Sequence, residues 1–341
     1  MNFFAIGDVL ARLLLAVLPR RISDRIRENT SPLEVYVLRD GTSRRDEPRM
    51  TLFEGVFATL LFDMALFGTS NPIINGIIRL FTTIQNSWDV PFASAHEATS
   101  KILDFCDRLG VQRRPWIWER KIDEYASLND FFSRTYAPDH FPEIGTGRLV
   151  SPSCCKVLSY DDDDRMRSML IKGCDYDASD IGLPEKDLDA YRKNRVILGY
   201  LSPKDYHRVH APISGKCVHC KMEGIGSPSA SVKFFGGKFN LLNENKRLVI
   251  VLEEEMSHDE EEEPLRVALV IIGGVGVNTI TYDDAMVGKA IAKGQELSAF
   301  RAGGSAFALF TSKAVDAVQP LRKAAEQCMH VEVLVGETLA N

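Results

Sequence analysis

From Val150 to the C-terminus, short β-branched runs alternate with Gly, Pro and polar residues, and this punctuation constrains the fold more than any other feature. The runs are Arg195–Leu201, Lys216–Lys221, Leu248–Leu252, Val267–Ile272, Asn278–Tyr282, Ala306–Phe310 and Val331–Val335. Runs this short and this frequent predict a mostly antiparallel sheet or barrel. Residues 1–125 read mainly helical instead. Ser94 with Glu97 fits a capping box opening a helix to Leu109, and Gly110 fits its stop. The expected class is therefore α+β: a helical N-terminal region, 1–125, then a mainly antiparallel β domain, 126–341.

The N-terminus carries its own pattern. Met1–Pro19 is almost wholly apolar. On a helical wheel Asp8 and Arg12 stand at i,i+4 in a narrow polar stripe with Met1 and Ala5. Arg20, Arg21, Arg25 and Arg27 follow. A wide apolar face with an Arg cluster behind it suits a helix lying in the headgroup layer of a membrane. A helix covering the protein's own core is the alternative. Abundant Arg also fits a mitochondrial presequence, although Asp8 and Asp24 oppose that. A second apolar stretch, Leu52–Ile84, reads as two short helices around a Gly-Thr-Ser-Asn-Pro turn, packed on the core or facing a membrane. No uncharged run reaches the ~20 residues needed to span a bilayer.

Several function classes are disfavoured. The chain carries a net charge of −6, so nucleic acid is not an expected partner. The acid is concentrated in Glu253–Glu263, which reads as a solvated loop between strands. Gly273-Gly274-Val275-Gly276 lacks the glycine spacing, the helix and the Lys of a phosphate loop. Seven cysteines in 341 residues imply reduced intracellular thiols rather than a disulfide scaffold. Cys154-Cys155 and Cys217–Cys220 imitate a zinc site poorly, because adjacent thiolates do not easily share one tetrahedral ion. No metal is expected.

Two constellations carry chemistry. Tyr200–Pro212, YLSPKDYHRVHAP, places His207 and His210 three apart, with Asp205 and Arg208 beside them. Histidine gives and takes protons near neutral pH. A pair at this spacing faces opposite ways on a strand and converges only on a turn. Near the C-terminus, Lys293–Leu297 (KGQEL) precedes Phe300–Phe307 (FRAGGSAF). Two glycines before a serine permit a tight backbone in which the Ser305 hydroxyl can approach the Gly304 carbonyl.

Together these segments resemble the phosphatidylserine decarboxylase family, whose members mature by self-cleavage into pyruvoyl enzymes. The resemblance runs from about Tyr125 to the C-terminus. Ser127–Arg134 (SLNDFFSR) is similar to the family's FNDFFxR. Val150–Pro152 is similar to the start of VSPADG, and Ile171–Gly173 to an IKG strand. Tyr200–Pro212 is close to YLxPxDYHRxHxP. Leu241–Leu248 resembles LxxxNERV, and Lys293–Ser305 resembles KGxExGxFxxGGS.

The resemblance implies a barrel-sandwich-like catalytic domain and a mechanism. Ser305 attacks the Gly304 carbonyl, the peptide becomes an ester, and elimination and hydrolysis leave a pyruvoyl group on the former Ser305. This self-derived group is the implied cofactor, and no pyridoxal phosphate is called for. His210 is the implied base, since a free serine hydroxyl is a weak nucleophile. The ketone then forms a Schiff base with the substrate amine and accepts the electrons left by CO2. His207 is implied to protonate the product carbon.

The chain departs from the pattern at three places. Cys154 stands where the family's base-orienting Asp is expected, Cys155 replaces the following Gly, and Ala306 replaces the usual Thr. Loss of an orienting carboxylate can cost several orders of magnitude in rate. Asp161–Asp164 could supply one if their loop folded back. The implied substrate is phosphatidylserine, turned into phosphatidylethanolamine at an intracellular membrane, mitochondrial or of another organelle, reached through the N-terminal helix. The alternatives are a decarboxylase of a free amino acid such as tryptophan, and a non-cleaving relative with a lipid- or amine-binding role. A homodimer is compatible with either.

Overall fold

A computed structural model describes residues 33–39, 41–46, 89–111, 117–160, 182–202, 204–224, 246–255, 263–273, 280–301, 305–327 and 329–341. Contacts divide the chain into two units. One comprises Met1–Val35 with Ser43–Ile84, of which the structure describes only 33–35 and 43–46. The other comprises Tyr36–Thr42 with Gln85–Asn341 and holds both histidines and Ser305.

Fifteen strands and four α-helices lie among the described residues. The strands are β1 (Leu33–Val37), β2 (Thr42–Asp46), β3 (Leu149–Val150), β4 (Cys155–Tyr160) and β5 (Val196–Leu201). Then come β6 (Arg208–His210), β7 (Gly215–Glu223), β8 (Arg247–Glu253), β9 (Arg266–Gly273) and β10 (Ile280–Tyr282). The last are β11 (Ala290–Ile291), β12 (Glu296–Phe300), β13 (Ser305–Thr311), β14 (His330–Val333) and β15 (Thr338–Ala340). The helices are α1 (Ala95–Leu109), α2 (Leu128–Phe132), α3 (Leu188–Lys193) and α4 (Gln319–Glu326).

Ten of these strands form one sheet in the order β11-β7-β8-β9-β13-β5-β4-β14-β1-β2. A three-stranded sheet runs β10-β12-β6, and β15 pairs with β3. The pairings from β11 through β14 are antiparallel, as the α+β expectation requires. The large sheet is open, so the barrel is not formed among the described residues. Closure needs two edge strands bonded to each other. Here β11 is two residues long and pairs only with β7, while β2 lies at the far edge.

Period-two alternation explains why the central runs read as continuously apolar. On β9, Val267, Leu269 and Ile271 enter one core cluster and Ala268, Val270 and Ile272 another. On β13, Phe307 and Leu309 join the first, while Ala306, Ala308 and Phe310 join the second. The first cluster also holds Val209, Leu297 and Phe300 from the small sheet, and the second holds Leu188 and Tyr191 of α3.

The stretch read as mainly helical contains a β pair. The β-branched alternation of Leu33–Val37 and the Asp-Gly before Thr42 make a hairpin signal, and Gly41 takes φ +69. The α1 boundaries match the sequence expectation. Ser94 Oγ accepts from Glu97 N at 3.2 Å, and Gly110 closes the helix at φ +69. Met1–Pro19 and Leu52–Ile84 lie outside the described residues. Among the described residues, no helix is long and apolar enough to cross a membrane.

One contact fixes the strand that begins at Ser305. Gly199 on β5 lies directly opposite Phe307 on β13. A Cβ on Gly199 would fall 2.1 Å from the Phe307 ring. Gly199→Ala should therefore cost about 2–3 kcal/mol through overpacking, read as a lower urea midpoint with unchanged slope. An unchanged midpoint would refute the fit.

Candidate active site

The site is built on the segment that leaves β5 and enters β6. At the end of β5, Leu201 lies opposite Ser305. The chain then turns. Asp205 N donates to Ser202 O at 2.8 Å, and the Asp205 carboxylate accepts from Ser202 N and Ser202 Oγ, both at 2.7 Å. The SLNDFFSR element holds this turn from the other side. Ser127 caps α2, accepting from Asp130 N at 3.1 Å. The helix buries Phe131 against Tyr125 and Phe105. That seating sends Arg134 inward, where it is 1% exposed. Its Nη2 donates to Lys204 O at 2.7 Å and Asp205 O at 3.0 Å. Its guanidinium sits over the rings of Trp118 and Phe131. A buried cation is thus solvated by carbonyl dipoles and ring faces.

His207 emerges from this clamp. Its ring lies 3.7 Å from that of Phe132, tilted 36°. Nδ1 is 2.9 Å from Asp205 O. A carbonyl only accepts, so Nδ1 carries the hydrogen and Nε2 keeps its lone pair. Nε2 is buried without a hydrogen-bond partner among the described residues. Burial, reinforced by the nearby Arg134 charge, holds the imidazole well below its ordinary pKa. His207 is a neutral base near pH 7. Its carbonyl accepts from Phe300 N at 2.9 Å, which ties it to the strand leading towards Ser305.

His210 sits on β6 opposite Glu296 of β12. Both ring nitrogens are engaged. Nδ1 is 2.8 Å from Gly294 O, and Nε2 is 3.0 Å from the Tyr206 hydroxyl. Burial depresses its pKa, opposed by the Gly294 carbonyl and Glu296. Burial also raises the Tyr206 phenol, which keeps its proton.

Cys154 lies near this group without taking the orienting role. The VSPSCC segment does run beside His210, because His210 N donates to Pro152 O at 2.8 Å. Ser153 Oγ bonds Tyr206 O at 3.0 Å and Arg208 O at 2.9 Å. The Cys154 sulfur instead accepts from Val335 N at 3.4 Å and lies 3.5 Å from the Tyr136 hydroxyl. Burial pushes its thiol up to about 11 and raises Cys155 too. Neither thiol supplies an anion near neutral pH. Asp161–Asp164 lie outside the described residues. Among the described residues, no three His, Cys, Asp or Glu side chains gather to hold a metal ion.

Ser305 opens β13 with no measurable exposure, and its Oγ has no hydrogen-bond partner among the described residues. By alternation it shares the Phe307 and Leu309 side of the sheet, where Val209 and Phe300 also pack. No hydrogen bond joins it to either imidazole. Gly304 lies outside the described residues. An orphaned buried hydroxyl at the start of a rigid strand fits a precursor of a pyruvoyl group. Such groups cost stability and call for an explanation in function.

Residues 128–341 match the phosphatidylserine decarboxylase family. The chain belongs to the phosphatidylserine decarboxylase family. A phosphatidylserine decarboxylase proenzyme of Clostridium botulinum is 28% identical over 254 residues, covering 73% of this chain and 81% of the relative. One from Clostridium perfringens is 27% identical over 260 residues, covering 73% and 82%. One from Halalkalibacterium halodurans is 25% identical over 292 residues, covering 84% and 97%.

Within this decarboxylase framework, sequence reasoning singled out the two histidines and the serine but not what holds them. Phe132, Arg134, Tyr206 and Gly294 all lie inside the family-like motifs, and no spacing rule assigns them to a particular imidazole. The Gly294 contact was the least accessible, since it is made by a carbonyl and leaves no side-chain signature.

Proposed function

We propose that this chain is a pyruvoyl-dependent decarboxylase that cleaves itself between Gly304 and Ser305 and then converts phosphatidylserine to phosphatidylethanolamine at a membrane surface. The observation that carries the reading is Ser305 itself: fully buried, without a hydrogen-bond partner among the described residues, and placed after two glycines at the head of a central strand. Membership of the decarboxylase family supports it.

In self-cleavage, Ser305 Oγ bonds to the Gly304 carbonyl carbon and the amide C–N bond breaks, giving an ester. His210 receives the hydroxyl proton at Nε2 once the Tyr206 hydroxyl yields that position. Elimination frees 1–304 with a C-terminal carboxylate, and hydrolysis of the new N-terminus releases ammonia. Once formed, the pyruvoyl group supplies the electron sink for loss of CO2. His207 acts at Nε2. Being neutral, it accepts a proton from the substrate's ammonium and returns one to the α-carbon after CO2 leaves. Phe132 and the Arg134 clamp hold that nitrogen in place.

The apolar N-terminal segment and its Arg cluster support a lipid substrate. The test compares phosphatidylserine in vesicles with free tryptophan, using the full chain and a chain lacking residues 1–30. CO2 release from vesicles that falls at least tenfold on truncation supports the lipid reading. Undiminished activity on free amino acid, with none on vesicles, overturns it.

A further inference from the structure

We infer that the Gly294 backbone carbonyl and the Tyr206 hydroxyl, rather than any carboxylate, set the tautomer of His210, fixing hydrogen on Nδ1 and leaving Nε2 as the base nitrogen. The inference rests on the self-cleavage reading for its purpose but not for its geometry. Two contacts carry it. Nδ1 lies 2.8 Å from Gly294 O, which only accepts, so Nδ1 donates. Nε2 lies 3.0 Å from Tyr206 O–H and therefore accepts.

The carbonyl is held firmly. Gly294 takes φ +82, a conformation that favours glycine. Its N–H donates to Ala211 O at 2.9 Å, and Ala211 N returns a bond to Gln295 O at 2.8 Å. A Cβ at 294 would fall 2.7 Å from Ile144 Cδ1. The glycine of the KGQEL element is thus required twice, for its dihedral and for the space beside Ile144. Tyr206 is held as well. Its carbonyl accepts from Ser153 Oγ, and its ring stacks on that of His210 at 5.7 Å and 21°. This arrangement accounts for a chain with Cys154 at the position of the family's Asp. A neutral acceptor fixes the tautomer as a carboxylate would, but stabilises an imidazolium less. Gly294 and Tyr206 are positioning residues, acting through His210.

The charged and titratable groups facing His210 are Glu296 across the strand pair, Arg208 on β6 and the Tyr206 phenol. Arg208 is held by Glu296 at 2.6 Å. Neither charge changes when Tyr206 loses its hydroxyl. Donation to the Nε2 lone pair favours the neutral ring, so its removal should raise the His210 pKa.

The experiment uses the full chain carrying Ser305→Ala, with nitrogen-15 histidine and long-range proton–nitrogen correlation at pH 7. His210 is assigned by the signal lost in His210→Gln. The expected spectrum is a neutral ring protonated at Nδ1. Adding Tyr206→Phe should keep that tautomer and raise the titration midpoint by roughly half a unit to one unit. In the native chain, the self-cleavage rate should rise with pH along the same titration. An Nε2–H ring or an imidazolium at pH 7 overturns the assignment, and so does a midpoint that stays or falls in Tyr206→Phe. A native chain that remains whole while His210 shows the Nδ1–H form refutes self-cleavage and leaves the tautomer assignment standing.

Discussion

Ser305→Ala should give one uncut polypeptide of 38.1 kDa, where the native chain separates on a denaturing gel into fragments of 304 and 37 residues. The smaller native fragment should also weigh one ammonia less than a fragment beginning with serine. The expected loss is complete, because alanine at 305 has no hydroxyl to form the ester with Gly304. The fold should survive. The Ser305 hydroxyl is buried without a hydrogen-bond partner among the described residues, so deleting it breaks no hydrogen bond there and removes an unsatisfied polar group. Relative to the uncleaved precursor, a neutral or slightly positive change in unfolding free energy, within about 1 kcal/mol, is expected. This sign separates a reactive group held at a cost from an ordinary core serine. If the native chain runs uncut and unmodified beside the mutant, the pyruvoyl mechanism is wrong. The chain is then a non-cleaving relative, the reading favoured by two histidine nitrogens already occupied and by Cys154.

The parts of the fold written as continuous apolar runs were legible, because a strand buried on both faces needs no other signal. Leu248–Leu252 and Val267–Ile272 became the centres of β8 and β9, and Ala306–Phe310 became β13. Ser94, Glu97 and Gly110 bounded α1 through local hydrogen bonds alone. Ile280–Tyr282 apart, which falls within the run Asn278–Tyr282, strands of two or three residues were not legible. Leu149–Val150, Arg208–His210 and Ala290–Ile291 are too short for alternation to register, and long-range pairing decides them. Sheet closure was also beyond sequence, since it depends on which edges meet. Within the site, side chains could be named from chemistry. Their partners could not, because His207 leans on the Asp205 carbonyl and His210 on the Gly294 carbonyl. Backbone acceptors are the same at every residue, so only the fold reveals which of them is used.

The two histidines should separate into two functions. His210→Gln should slow self-cleavage by about 10²–10⁴-fold, the usual contribution of a positioned base. His207→Gln should leave cleavage close to native and lower decarboxylation of the matured chain by a similar 10²–10⁴-fold. Their surroundings differ in the way such a division needs. His210 is pinned at both nitrogens within a strand pair, suited to one event at one bond. His207 presents an unpartnered Nε2, stacked on Phe132 and kept neutral by burial and Arg134, suited to repeated uptake and return of a proton. Glutamine keeps a donor and an acceptor in both places, so the comparison reads proton transfer rather than lost packing. Cleavage is scored by gel and turnover by CO2 release per mole of cleaved chain, which keeps a maturation defect from counting as a catalytic one. Equal loss of cleavage in both variants would mean that the imidazoles work as a unit. A His207→Gln chain with native turnover would remove His207 from the reaction. Native cleavage with slowed turnover in His207→Gln would assign the proton transfer to the His207 imidazole.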